Sequence, residues 1–134
     1  MRILLLALVA LGLSVSVARA DDAMYANILK ERDAVLSQIL AEREAYAKNG
    51  AVDERAVTEA RLALLSFRRD TAPSTADKIA QQQQIVALHE KSLAVSKQRA
   101  EAGVIMRDEV LLATDAWLQA KQLLEELKRA EKAQ

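Results

Sequence analysis

Apolar residues recur along most of this chain at steps of three and four, the spacing of one face of an α-helix. Between about Ala23 and Lys48 they are Tyr25, Ile28, Leu29, Val35, Leu36, Ile39, Leu40 and Tyr46. From about Asp53 to Arg69, Val57, Ala60, Leu64 and Phe67 follow at 3, 4 and 3. A third segment, about Ala76 to Ala102, carries Ile79, Ile85, Val86, Leu88, Leu93 and Val95 around the tract QQQQ at 81–84. That tract reads as exposed helix surface. The fourth segment, about Asp108 to Lys132, is the most regular: Val110, Ala113, Trp117, Ala120, Leu124 and Leu127 fall at 3, 4, 3, 4 and 3. Small residues there alternate with large ones, as a seam of close helix contact requires.

Beyond Gly12 the only strong breakers are Gly50, Gly103 and Pro73. Asn49-Gly50 reads as a helix stop, and Asp53 stands where an N-cap belongs. The stretch DTAPST ends the second helix, because Pro73 disfavours helical geometry before it; Ser74 or Thr75 then caps the third. Gly103 reads as a C-cap in the left-handed conformation. Val104 to Arg107 cross the tip, and Asp108 caps the return helix. The residues following the two glycines agree in type: Val57, Ala60, Ala63, Leu64 and Leu65 stand at the same offsets from Gly50 as Val110, Ala113, Ala116, Trp117 and Leu118 from Gly103. This is a tandem repeat of one helix–Gly turn–helix unit. The fold class expected is all-α: two tandem hairpins forming an elongated antiparallel four-helix coiled-coil bundle. Repeat 1 spans about 23–70, a linker 71–75, and repeat 2 about 76–132.

Composition alters the picture at the N-terminus. Residues 1–20, MRILLLALVALGLSVSVARA, combine Arg2, an apolar run and the small-x-small sequence Ala18-Arg19-Ala20. They read as a cleavable signal peptide, with 21–134 as a single exported helical domain. The apolar run is shorter than the ~20 residues that span a bilayer, so no membrane span is expected after cleavage. With no cysteine the chain has no lipoprotein attachment site, disulfide or thiolate. The 19 basic and 19 acidic residues balance, and removing Arg2 and Arg19 with the leader leaves a slight acidic excess. Nothing in that balance attracts nucleic acid.

The segment AEAGVIMRDEVLLATDAWLQAKQLLEEL resembles the coiled-coil tip of TolC-type outer-membrane efflux proteins. Gly103, Asp108, Val110, Leu111, Ala113, Trp117, Leu118, Ala120 and Lys121 carry the resemblance. NGAVDERAVTEARLALL repeats it more faintly. The resemblance implies two helical repeats per chain and tips that meet a periplasmic adaptor. Family members place membrane strands between their repeats, whereas this chain has DTAPST there and no alternating strand pattern, so it builds no barrel by itself. They also usually flank the tip glycine with Val and Leu, where this chain has Ala102 and Val104, or Asn49 and Ala51.

Candidate chemistry is sparse. His89 is the sole histidine, and without cysteine a metal site would need ligands from other helices; Met24 or Met106 could join it only for a soft metal. Serines sit scattered on helices, with no nucleophile elbow or phosphate loop. Trp117 lies in the heptad seam and reads as core. No catalytic, cofactor or metal residues are expected, and no enzyme. The sequence instead points to an exported periplasmic protein acting by protein–protein contact, through self-association or with efflux or envelope machinery. The contact residues expected are the tips Gly50, Val52, Gly103, Val104, Ile105 and Met106, with Asp53, Asp108, Val110 and Trp117 structural. The alternative is a small periplasmic sensor or chaperone-like binder of metal or unfolded protein.

Overall fold

The computed structural model describes the backbone of residues 2–134 and the side chains of residues 20–134. The expected leader, 1–20, lies outside the residues whose side chains are described, save Ala20. Every described element is an α-helix: α1 (Arg2–Lys48), α2 (Glu54–Asp70), α3 (Thr75–Glu101) and α4 (Arg107–Lys132). The chain clusters into two compact units, Met1–Val35 and Leu36–Gln134. The first contains only α1 residues, and the second carries all the packing between helices described below.

The helix ends follow from local chemistry. The Asp53 carboxylate accepts from the Ala56 N–H at 3.0 Å, so Asp53 is the N-cap of α2. Ser74 caps α3 by accepting from the Asp77 N–H at 3.1 Å, and its hydroxyl donates to the Asp77 carboxylate at 2.6 Å. This reciprocal arrangement satisfies donors that a helix start leaves unpaired. Gly50 and Gly103 both have φ of +70°, where a Cβ is disfavoured. Around Gly50, the Gly50 N–H donates to Ala47 C=O at 3.0 Å and Ala51 N–H to Tyr46 C=O at 2.9 Å. Around Gly103, the Gly103 N–H donates to Ala100 C=O at 3.0 Å and Val104 N–H to Arg99 C=O at 2.8 Å. Both pairs form the Schellman closure.

The expectation that Asp108 caps α4 fails. Met106 occupies the N-cap and provides no side-chain hydrogen bond, while Asp108 lies inside the first turn and accepts from the Glu109 N–H at 3.0 Å. The reason is the turn itself. After both glycines the N-cap falls three residues on, and that position holds Asp53 after Gly50 and Met106 after Gly103. An acidic residue in the first turn still complements the helix dipole.

Helix α3 packs against both α2 and α4. Leu65, Ile85 and Ala120, one from each helix, form a buried cluster with Leu62, Val86 and Leu88 against it. Leu64, Phe67, Ile79 and Leu93 are also buried. The heptad positions Val110, Ala113, Trp117, Leu124 and Leu127 are half-buried and Ala120 is buried, so the seam read from spacing lies on the packed side of α4. Ala120 brings little bulk to that side, which lets a neighbouring side chain reach its backbone.

That neighbour is Gln82. The QQQQ tract is not plain surface: Gln83 and Gln84 are exposed, but Gln82 is only 1% exposed. Its amide N–H donates to the Ala120 carbonyl at 2.8 Å, and its carbonyl accepts from Arg69 Nη1 at 2.8 Å. Arg69 can only donate and a backbone carbonyl can only accept, so the amide has one orientation that satisfies both partners. Arg69 is anchored in turn on the Asp70 carboxylate, at 2.8 Å from Nε and 2.7 Å from Nη2. One buried glutamine therefore ties α2, α3 and α4 together.

Candidate interaction site at the glycine tips

The two tips share a backbone and differ in what they present. At the first, Ala51 is exposed, Val52 is half-buried and the polar cap Asp53 follows. At the second, Val104 is 62% and Met106 70% exposed, while Ile105 turns inward and is half-buried. The apolar run is thus divided: Ile105 is half-buried, whereas Val104 and Met106 are exposed. Leu111 and Leu112, in the first turns of α4, are exposed as well. Two apolar side chains standing beside a turn, where Met106 replaces a capping residue, suit contact with another apolar surface.

Neither glycine meets a neighbouring atom within 4 Å of where a Cβ would stand. Both are required by backbone conformation and not by close packing. The residues expected at the tips therefore fall into three groups. Gly50 and Gly103 shape the turns, Val52 and Ile105 are half-buried beside them, and Val104 and Met106 are exposed.

The remaining candidates resolve as packing residues. Trp117 is half-buried, its indole N–H is enclosed without a hydrogen-bond partner, and Lys121 Nζ lies 4.4 Å from its ring centroid. An ammonium over an indole face is attracted by the ring quadrupole. His89 is half-buried on α3, and burial lowers its pKa from 6.5, because the charged imidazolium loses hydration there. Among the described residues no group of three or more His, Asp or Glu side chains is placed to hold a metal ion. Likewise, no described helix is long and apolar enough to cross a membrane.

Residues 36–48 of α1 reach α2 through polar pairs. Arg61 donates to the Glu44 carboxylate, and Arg68 Nη2 donates to the Ser37 hydroxyl at 3.1 Å. A shallow groove between them is lined by Ile39, Arg43, Ala56, Glu59 and Ala60.

No protein-family model, curated protein or solved structure matches this chain. The functional reading therefore rests on its own residues.

Sequence reasoning missed Gln82. Its signal was present, since Gln82 falls three residues after Ile79 and three before Ile85, in step with the apolar stripe. A polar tract hid its one fully buried glutamine.

Proposed function

We propose that this chain is an exported, non-enzymatic coiled-coil protein that works by protein–protein contact, with the second tip as its contact point. The observation that carries this reading is the outward exposure of Val104 and Met106 on a turn whose backbone is otherwise closed as at the first tip. The finer architecture is part of the proposal: two tandem antiparallel hairpins. Supporting it, Thr75 at the start of α3 meets Gln134 beyond the end of α4 at 3.3 Å, and Gln82 meets Ala120. The pairs Arg61–Glu44 and Arg68–Ser37 support the same path for α1 and α2.

Export to the periplasm rests on the 1–20 sequence, and the efflux-type partner on the resemblance of the Gly103 tip to TolC-type proteins. The adaptor-facing role would fall to Val104 and Met106, with Gly103 holding the turn.

The test is a photo-crosslinking amino acid placed at Val104 in the expressing cell, with Gln83, an exposed position on α3, as control. The exported protein is expected to form a discrete adduct from position 104 and none from 83, and its N-terminus is expected to be Asp21. Equal behaviour at the two positions contradicts the tip reading. An uncleaved N-terminus contradicts the export reading.

A further inference from the structure

The first glycine turn carries a reactive pair that the second lacks. Asn49 and Gly50 follow Lys48, the last residue of α1, and both are exposed. No hydrogen bond holds the Asn49 side-chain amide among the described residues. The next backbone nitrogen belongs to a glycine, and no atom lies within 4 Å of where a Cβ would stand on it. Any other residue would carry a Cβ there and crowd that nitrogen. Asparagine is thermolabile because its side-chain carbonyl lies within reach of the following backbone nitrogen.

We infer that Asn49–Gly50 is a site of spontaneous deamidation that loosens the first turn as the protein ages. The Gly50 nitrogen attacks Cγ of Asn49 and gives up its proton, and the side-chain nitrogen leaves as ammonia. Water then opens the cyclic succinimide at either carbonyl. One opening leaves aspartate at position 49. The other leaves isoaspartate, in which the main chain runs through the former side chain.

One contact opposes the attack. The Gly50 N–H donates to Ala47 C=O at 3.0 Å, and the nitrogen must be released from it before it reacts. That bond belongs to the last turn of a helix, where local opening costs little. Asn27, the only other asparagine, is placed quite differently. It lies inside α1 and precedes Ile28, whose branched Cβ crowds the nitrogen. At the second turn Ala102 stands before Gly103, whose φ matches that of Gly50, and alanine has no side-chain carbonyl to attack.

Either product puts a carboxylate at the C-terminal end of α1, where the helix dipole disfavours negative charge. Isoaspartate also adds a backbone atom ahead of Gly50. The Gly50 and Ala51 N–H groups are then carried away from the Ala47 and Tyr46 carbonyls, which they reach at 3.0 and 2.9 Å. This inference goes beyond the proposed function and stands whether or not the second tip meets a partner.

The experiment keeps the full chain, in the form the cell accumulates, warm at neutral pH beside an Asn49→Gln variant. A synthetic peptide of residues 46–53 sets the rate without a folded turn. Mass spectrometry follows the tryptic peptide 49–55, which Lys48 and Arg55 delimit, against a digest made before incubation. Native protein is expected to show the amide-to-acid mass gain there, at a rate within about tenfold of the synthetic peptide's, because a helix end opens readily. Enzymatic methylation is expected to detect isoaspartate in the product. Asn27 and the Asn49→Gln variant are expected to stay unchanged. Slower conversion than that shows that the closed turn protects the amide, and overturns the proposal. So does equal conversion at Asn27, or a product that is aspartate alone, which excludes the succinimide. The isoaspartyl form, separated by chromatography, is expected to unfold at lower urea than the native chain. An unchanged midpoint overturns the claim that the modification loosens the turn.

Discussion

Gln82 shows how much one residue can decide. Its two hydrogen bonds join three helices where a leucine would pack as well by volume, and they fix the register of α3 against both neighbours. Replacing it with Met keeps the length and removes both bonds, leaving the Arg69 guanidinium facing an apolar group. A loss of about 1–3 kcal/mol is expected, read from the urea unfolding midpoint. Adding Arg69→Met should cost less than the sum of the two single changes, because the stranded donor is then gone. The glycines make a second prediction at this scale. Gly50→Ala and Gly103→Ala should each cost about 1–2 kcal/mol, and by similar amounts, since both glycines have the same φ and empty surroundings. Met106→Asp should move the other way. It supplies the missing cap of α4 and is expected to stabilise the protein by about 1 kcal/mol. A gain in stability at an exposed contact position would indicate that the apolar side chain is retained for something other than folding.

At the scale of the helix, spacing predicted the elements because amphipathic helices state their period in the sequence, and Gly, Pro and Asp state their ends. The seam on α4 and the cap at Asp53 were both legible. The cap at Asp108 was not, because the position of an N-cap depends on how many residues the turn consumes. The first glycine turn held that answer: counting three residues from Gly103, as from Gly50 to Asp53, reaches Met106. The QQQQ tract failed for a different reason, since composition was allowed to override register. On α3, His89 adds a pH dependence. Burial lowers its folded-state pKa below 6.5, so the unfolded chain takes up the proton first. Stability is therefore expected to fall as pH drops below about 6.5, and to level off below the folded-state pKa. His89→Gln should remove that component, as measured by unfolding at pH 7.5 and 5.5. On α4, Glu125 is held below its ordinary pKa by its hydrogen bond to Lys128, at 2.8 Å, and by that ammonium's charge; the pair is exposed and bears little on stability.

At the scale of the whole molecule, the fold class was readable and the occupant of each apolar surface was not. A sequence shows that a position is apolar, but not whether the chain itself covers it. Ile105 and Val104 are neighbours of the same chemistry, and only the fold turns one inward and the other outward. The second tip is the contact surface proposed for a different protein. The most direct measurement is the size of the complex the protein forms in gently extracted cell envelopes, comparing native protein with a Val104→Asp/Met106→Asp variant whose helicity is unchanged. The native protein is expected to migrate in a larger assembly, and the variant to fall back to a smaller one. Identical complexes from both would contradict the claim that the second tip is where this protein meets its partner.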